Sequence, residues 1–138
     1  MLSFKVIYIA ASLMVGALAR PGPPTGTYYA IINPQGTVCV QANWVPHPHE
    51  DVELGVKCGT HFKDSDDLTV DEGPPFTYKI DSDSADDFRR FRIGVDILCR
   101  GFVHTLPGDL YKFDYHRGSN TIVTTFHAQR VELKPGHC

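Results

Sequence analysis

The chain has 138 residues, 42% of them hydrophobic and 21% charged, and its 13 Lys and Arg against 16 Asp and Glu give a formal net charge of −3. So mild an acidity argues against a general electrostatic nucleic-acid binder, although it leaves room for local basic patches. Beyond the N-terminal region no stretch is apolar for long enough to read as a membrane span.

Residues 1–19, MLSFKVIYIAASLMVGALA, carry one early lysine, Lys5, then an apolar run, then small residues at Ala17 and Ala19. This is the pattern of a secretory signal peptide cleaved before Arg20, which leaves 20–138 as a single domain. RPGPPTG reads as an extended leader to the fold. TYYAIIN, the turn signal PQG and TVCV read as a hairpin. PHPHEDVELGVKCGTHF reads as the one helix. Pro48 suits its first turn, Glu50, Asp51 and Glu53 sit at the positive end of its dipole, Lys57 lies near the other end and Gly59 stops it. Leu54, Cys58 and Phe62 recur every fourth residue, as do Val52 and Val56, while Gly55 counts against the helix. KDSDDLTVDEGPP is loop-like. FTYKI is a strand, DSDSADD an acidic loop, FRRFRIGV a second strand and ILCRGFVHT a third. LPGD is a turn, LYKFDY and TIVTTFH flank the hairpin signal HRGSN, and the tail AQRVELKPGHC adds a short strand. The expected fold class is α+β, one helix packed on a twisted antiparallel sheet.

The cysteines are Cys39, Cys58, Cys99 and Cys138. An even number in a small secreted domain reads as two disulfides, with three possible pairings. A terminal cysteine is useful where it ties down an end that would otherwise fray. Pairing it with Cys39 closes a loop of about 100 residues, worth about 4–5 kcal/mol in the chain-entropy model. The expected pairs are therefore Cys39–Cys138 and Cys58–Cys99.

The histidines of HPHED with His61 match no standard zinc spacing, so neither metal nor cofactor is expected. His104, His116 and His137 sit beside turns or the terminus and are expected to be exposed. The basic cluster FRRFR is more informative. On a strand Arg90 and Arg92 share a face. With Lys112 they would make a basic stripe near the aromatics Phe88, Phe91, Tyr111, Phe113 and Tyr115, a surface able to hold single-stranded RNA weakly. The plainer reading is that the aromatics are core and the arginines a solvated face balanced by DSDSADD.

Three segments resemble small fungal guanine-preferring ribonucleases and ribotoxins, in which one helix precedes a twisted antiparallel sheet and a disulfide joins the chain ends. GPPFTYKI resembles their strand after the helix, RRFRI their central strand, and LYKFDYHRGSNTIVTTFH their hairpin. Their chemistry needs a base for the 2′-OH, an acid histidine and cations for the phosphorane. Laid on that pattern, the first histidine falls on Phe76 or Thr77, the glutamate on Arg90 and the arginine on Lys112; His127 alone survives. An arginine cannot serve as the base. Phe76, Arg90, Lys112 and His127 are thus vestigial positions of a ribonuclease-like fold without catalysis.

That combination is similar to the RNase-like secreted effectors of cereal powdery mildew fungi. The resemblance implies a monomeric, non-enzymatic virulence protein, secreted and translocated into the host plant cell. There it would bind a host target, a protein or more weakly RNA, to modulate immunity and be open to recognition by an intracellular immune receptor. Two alternatives stay open. An active secreted ribonuclease would need a carboxylate and a histidine near His127, for which Glu50 and His49 are the nearest candidates. An apoplastic binding or inhibitor protein would keep the fold and never enter a host cell.

Overall fold

The structure is a computed structural model that describes residues 24–45 and 51–138; the expected leader 1–19 and the candidates Pro48, His49 and Glu50 lie outside the described residues. The strands are β1 (Gly26–Ile31), β2 (Val38–Val45), β3 (Asp51–Cys58), β4 (His61–Asp64), β5 (Leu68–Glu72), β6 (Thr77–Ile80), β7 (Lys112–His116), β8 (Thr121–Phe126) and β9 (Gln129–Pro135). One α-helix, α1 (Ala85–Leu98), follows a 3₁₀ turn at Ser82–Ser84.

Every strand pairing is antiparallel, and the order β2-β1-β9-β8-β7-β6-β5-β3 closes on itself because β3 also pairs with β2. β4 and β5 lie on the same edge of β3. Gly55–Cys58 pairs with Asp64–His61, and Val52 pairs with Leu68. Between these ladders the Ser65 amide donates to the Leu54 carbonyl at 2.8 Å, and the Leu54 amide donates to Ser65 Oγ at 2.8 Å. The two short strands therefore act as one bent strand, and the wall is a closed eight-stranded antiparallel barrel.

This overturns the α+β expectation of a helix packed on a ribonuclease-like sheet. The helix expected around VELGVKC is instead β3, paired along its length with β2. A spacing of four fits both a helix face and every second residue of a strand. Val52, Leu54, Val56 and Cys58 are all buried, which is the period of two. β-branched valines and Gly55 also favour the strand over the helix.

The helix forms where strands were expected. In ADDFRRFRIGVDIL the buried residues are Phe88, Phe91 and Val95, spaced three and four apart, with Asp86 and Asp87 in the first turn. Its placement follows from the end of β6. The Asp81 amide donates to the Thr69 carbonyl at 2.9 Å, and the Thr69 amide donates to Ser84 Oγ at 2.9 Å. The chain then turns helical and packs chiefly along β4. The end of the Lys63 side chain lies against Gly94 of the helix. Cys58 and Cys99, both fully buried, join the end of β3 to the end of α1.

Aromatic rings meet across the interior. Trp44 of β2 packs edge-on against Tyr78 of β6 at 5.6 Å and Phe113 of β7 at 5.4 Å between ring centroids. β7 lies opposite β2 in the closed order, so these rings span the barrel. An eight-stranded barrel is just wide enough for side chains to fill it or for one small ligand to enter. Tyr28 ties β1 to the β7–β8 turn. Its hydroxyl donates to Asn120 Oδ1 at 2.6 Å. Burial, and then the neighbouring Tyr115, push its pKa up to about 12, so it remains a neutral donor.

The tail runs back over the outside of the wall. The Gly136 amide donates to the Thr27 carbonyl at 3.0 Å and the Cys138 amide to Gln41 Oε1 at 3.0 Å, where Cys138 is bonded to Cys39. No helix among the described residues is long and apolar enough to cross a membrane.

Candidate partner-binding surface

The four vestigial positions are scattered. Phe76 lies in the turn before β6 with a φ of 66°, its ring 6.4 Å from that of Tyr115 and 5.6 Å from the Arg117 guanidinium. Next to it, Thr77 donates to Asp114 at 2.9 Å. His127 lies in the β8–β9 turn with a φ of 52°. Its amide donates to Asp109 Oδ2 at 2.9 Å, and its Nδ1 is 3.1 Å from the His104 carbonyl. Phe76 is bonded through its carbonyl to Tyr115, which pairs with Ile122. From Ile122 to His127 the chain rises about 16 Å along β8. Phe76 and His127 thus sit at opposite ends of the barrel.

The basic residues separate as well. Arg90 pairs with Asp87 at 2.7 Å on the exposed side of α1, whereas Arg92 lies over the Phe88 ring at 5.8 Å. Two residues apart on a helix means about 200° of rotation, so the face they would share on a strand does not exist. Arg90 and Arg92 therefore share no face. Lys112 opens β7 as the register partner of Lys79.

What the barrel offers instead is its outer wall. Beside the C-terminal tail, β1, β2, β3 and β4 frame an open groove of about 570 Å³ lined by Thr27, Gln41, Asn43, Glu53, Lys57, Thr60, Phe62 and His137. Phe62 is 42% exposed and lies on the backbone of Gly55, where an added Cβ would stand 2.5 Å from the ring. Glycine inside a strand often marks such a close approach. Here it beds an aromatic ring as a fixed apolar platform. Register sets Lys57 beside Phe62.

Polar groups surround the platform. Asn43 Oδ1 accepts from Thr27 at 3.1 Å and Gln41 Oε1 accepts the Cys138 amide at 3.0 Å, so both carbonyls are used and, among the described residues, the amide NH₂ groups have no partner. Burial first, and then the negative charges of Asp64 and Asp67, raise the Glu53 carboxyl above its ordinary value of 4.5. A carboxylate, an ammonium group and two amides around one ring suit an extended polypeptide or a protein loop. Among the described residues no group of three or more His, Cys, Asp or Glu side chains is placed to hold a metal ion.

Sequence reasoning assigned Phe62 to a helix face and missed this site. The one available signal was Gly55, which disfavours a helix and, in a strand, points to a neighbour resting on it.

Comparison with protein-family models, with curated proteins and with solved structures finds no match.

Proposed function

We propose that this chain is a secreted, non-enzymatic binding protein, an effector of a plant-pathogenic fungus that engages a host protein through the groove around Phe62. The observation that carries this reading is the division of labour in the barrel. Trp44, Tyr78 and Phe113 occupy the interior, while the outer wall holds an aromatic ring fixed on glycine among polar groups. Small-molecule sites are concave and mostly apolar; this groove is open and polar-rimmed, as protein partners require. Two disulfides are compatible with an extracellular protein, and the N-terminal pattern supports secretion. RNA is not part of the proposal, because Arg90 and Arg92, expected to grip it from one strand face, lie on different sides of α1.

The test is expression of the protein without residues 1–19 inside plant cells, scored as suppression of an immune response, with Phe62→Ala and Glu53→Lys as variants. Activity of the wild type that both variants lose, while keeping their thermal transitions, is the expected result. Full activity of both variants would remove the groove from the account. Activity only when the leader is retained would favour the apoplastic alternative. RNA cleavage abolished by His127→Ala would overturn the non-enzymatic reading.

A further inference from the structure

The two disulfides differ in what guards them. Cys58 and Cys99 are fully buried in the core. Cys138 is partly exposed on the outer wall, and its partner Cys39 is 7% exposed. Register sets Lys57 opposite Cys39 on the neighbouring strand, and both line a pocket of about 240 Å³ with Cys138. Thiol–disulfide exchange is controlled by access to the sulfur and by the ease with which the departing thiolate leaves. A thiol from solution can reach Cys138, and the Lys57 ammonium favours the negative charge that departs on Cys39. The inner bond is out of reach until the core opens.

The outer bond also pins residues 136–138. Apart from it, among the described residues, this tail is held to the wall by two amides. Gly136 donates to the Thr27 carbonyl and Cys138 to Gln41 Oε1, each at 3.0 Å. Two neutral hydrogen bonds contribute less than the entropy of ordering three residues costs, so cleavage of the disulfide frees the tail. His137 and Cys138 line both the groove around Phe62 and the smaller pocket that reaches Tyr29 and Ile31. The tail is thus a partition between them. Gly136 lies against the Tyr29 ring, where an added Cβ would stand 2.5 Å away. Once the tail lifts, the two pockets join, and Tyr29 and the Gln41 carbonyl are uncovered.

We propose that Cys138 is a thiol-modification site and that the Cys39–Cys138 bond is a redox latch on the groove. A low-molecular-mass thiol attacks Cys138 Sγ as its thiolate. The S–S bond breaks, a mixed disulfide forms on Cys138, and Cys39 departs as a thiolate. A second thiol then displaces the first from Cys138. Two small thiols are oxidised to one disulfide, and the protein keeps two free cysteines. The strand ladder and the Cys58–Cys99 bond stay in place. The use of the latch in partner binding rests on the proposed role of the Phe62 groove; the chemistry of the latch does not.

The test exposes the purified, oxidised protein to glutathione buffers, quenches by alkylation and maps the cysteines by mass spectrometry. Cys39–Cys138 should open at least about a hundredfold faster than Cys58–Cys99, which waits on opening of the core. A glutathione adduct should appear first on Cys138. In the singly reduced protein, amide exchange should rise at Gly136 and Cys138 and stay low in β3. Flavin-sensitised photo-CIDNP should show the Tyr29 ring newly accessible. Cys39→Ser with Cys138→Ser should reproduce both changes without thiol. Joint reduction of the two bonds, a first adduct on Cys39, or a tail still protected after the outer bond is cut would overturn the proposal. None of these readouts involves the Phe62→Ala assay, so failure of the latch and failure of the groove reading are told apart.

Discussion

The wall formed by β1–β3 with the C-terminal tail and the helical insertion at 81–111 are held by different means. In the wall, each strand finds its neighbour by backbone pairing, from Gly26↔Trp44 through Val38↔Cys58. Its disulfide, Cys39–Cys138, lies on the outside and ties down a tail. The insertion has little ladder of its own and relies on side chains that accept backbone amides. Ser84 receives Thr69, Asp96 receives Thr105 at 2.7 Å, and buried Asp109 receives Leu106 at 2.8 Å and His127 at 2.9 Å. Its disulfide, Cys58–Cys99, is within the core. A ladder survives the loss of any one side chain, whereas an insertion fastened by a few carboxylates and one buried disulfide does not.

The disulfides break this comparison most sharply. For sequence separations of 99 and 41, the chain-entropy model gives about 4.7 and about 3.9 kcal/mol, nearly equal losses of stability. The local consequences should differ. Cys58→Ala with Cys99→Ala should raise amide exchange across α1 and the 100–110 segment. Cys39→Ala with Cys138→Ala should raise it only in the tail and the adjoining edge of β1. Equal exchange patterns would show that the insertion is not separately fastened.

A smaller loss is expected at Asp109. Removing a buried carboxylate that accepts the Leu106, His127 and Ala128 amides should cost about 2–4 kcal/mol in Asp109→Ala, because those donors lose their acceptor. Thr125→Ala, on the exposed side of β8, should change stability by less than about 0.5 kcal/mol. Denaturant titration of both variants distinguishes a fastened insertion from a ladder.

The smallest effect concerns Glu53 in the groove. Its folded pKa is raised above 4.5, chiefly by burial, so the fold favours the protonated carboxyl. That contribution to stability is fully present below 4.5 and is lost as pH rises through the raised value. Glu53→Gln should therefore melt slightly higher than the wild type at about pH 7, and the gap should shrink toward zero at about pH 4. A gap that is constant with pH would place the effect outside this titration.

The same contrast explains which parts of the structure were readable in the sequence. The hairpins TYYAIIN–TVCV and LYKFDY–TIVTTFH follow from β-formers around turn signals, and both appear as β1–β2 and β7–β8. FTYKI supplies β6 and the tail supplies β9. The helix was misplaced because VELGVKC satisfies two periods at once, and only pairing with β2 decides between them. FRRFRIGV misled in the other direction, since its aromatic and β-branched residues suit a strand while Phe88, Phe91 and Val95 keep helical spacing. Closure of the barrel was not legible, since it depends on β3 returning to β2 and β9 meeting β1 at Tyr28 and Tyr29. The groove was hidden for the same reason: Phe62 reaches Gly55 only through the β3–β4 register.

If a partner is met on the outer wall, as proposed, the barrel interior should stay closed to ligands. The single tryptophan of the chain, Trp44, is 2% exposed at the centre of that interior and reports on it directly. The decisive measurement is energy transfer from Trp44 to a long-chain polyene fatty acid added as a fluorescent probe of the interior. Trp44 emission should be blue-shifted, poorly quenched by iodide and unchanged by the probe at any concentration below its micellar limit. Saturable quenching of Trp44 with matching sensitised emission from the probe would mean that the interior opens to a ligand, and the claim would fail.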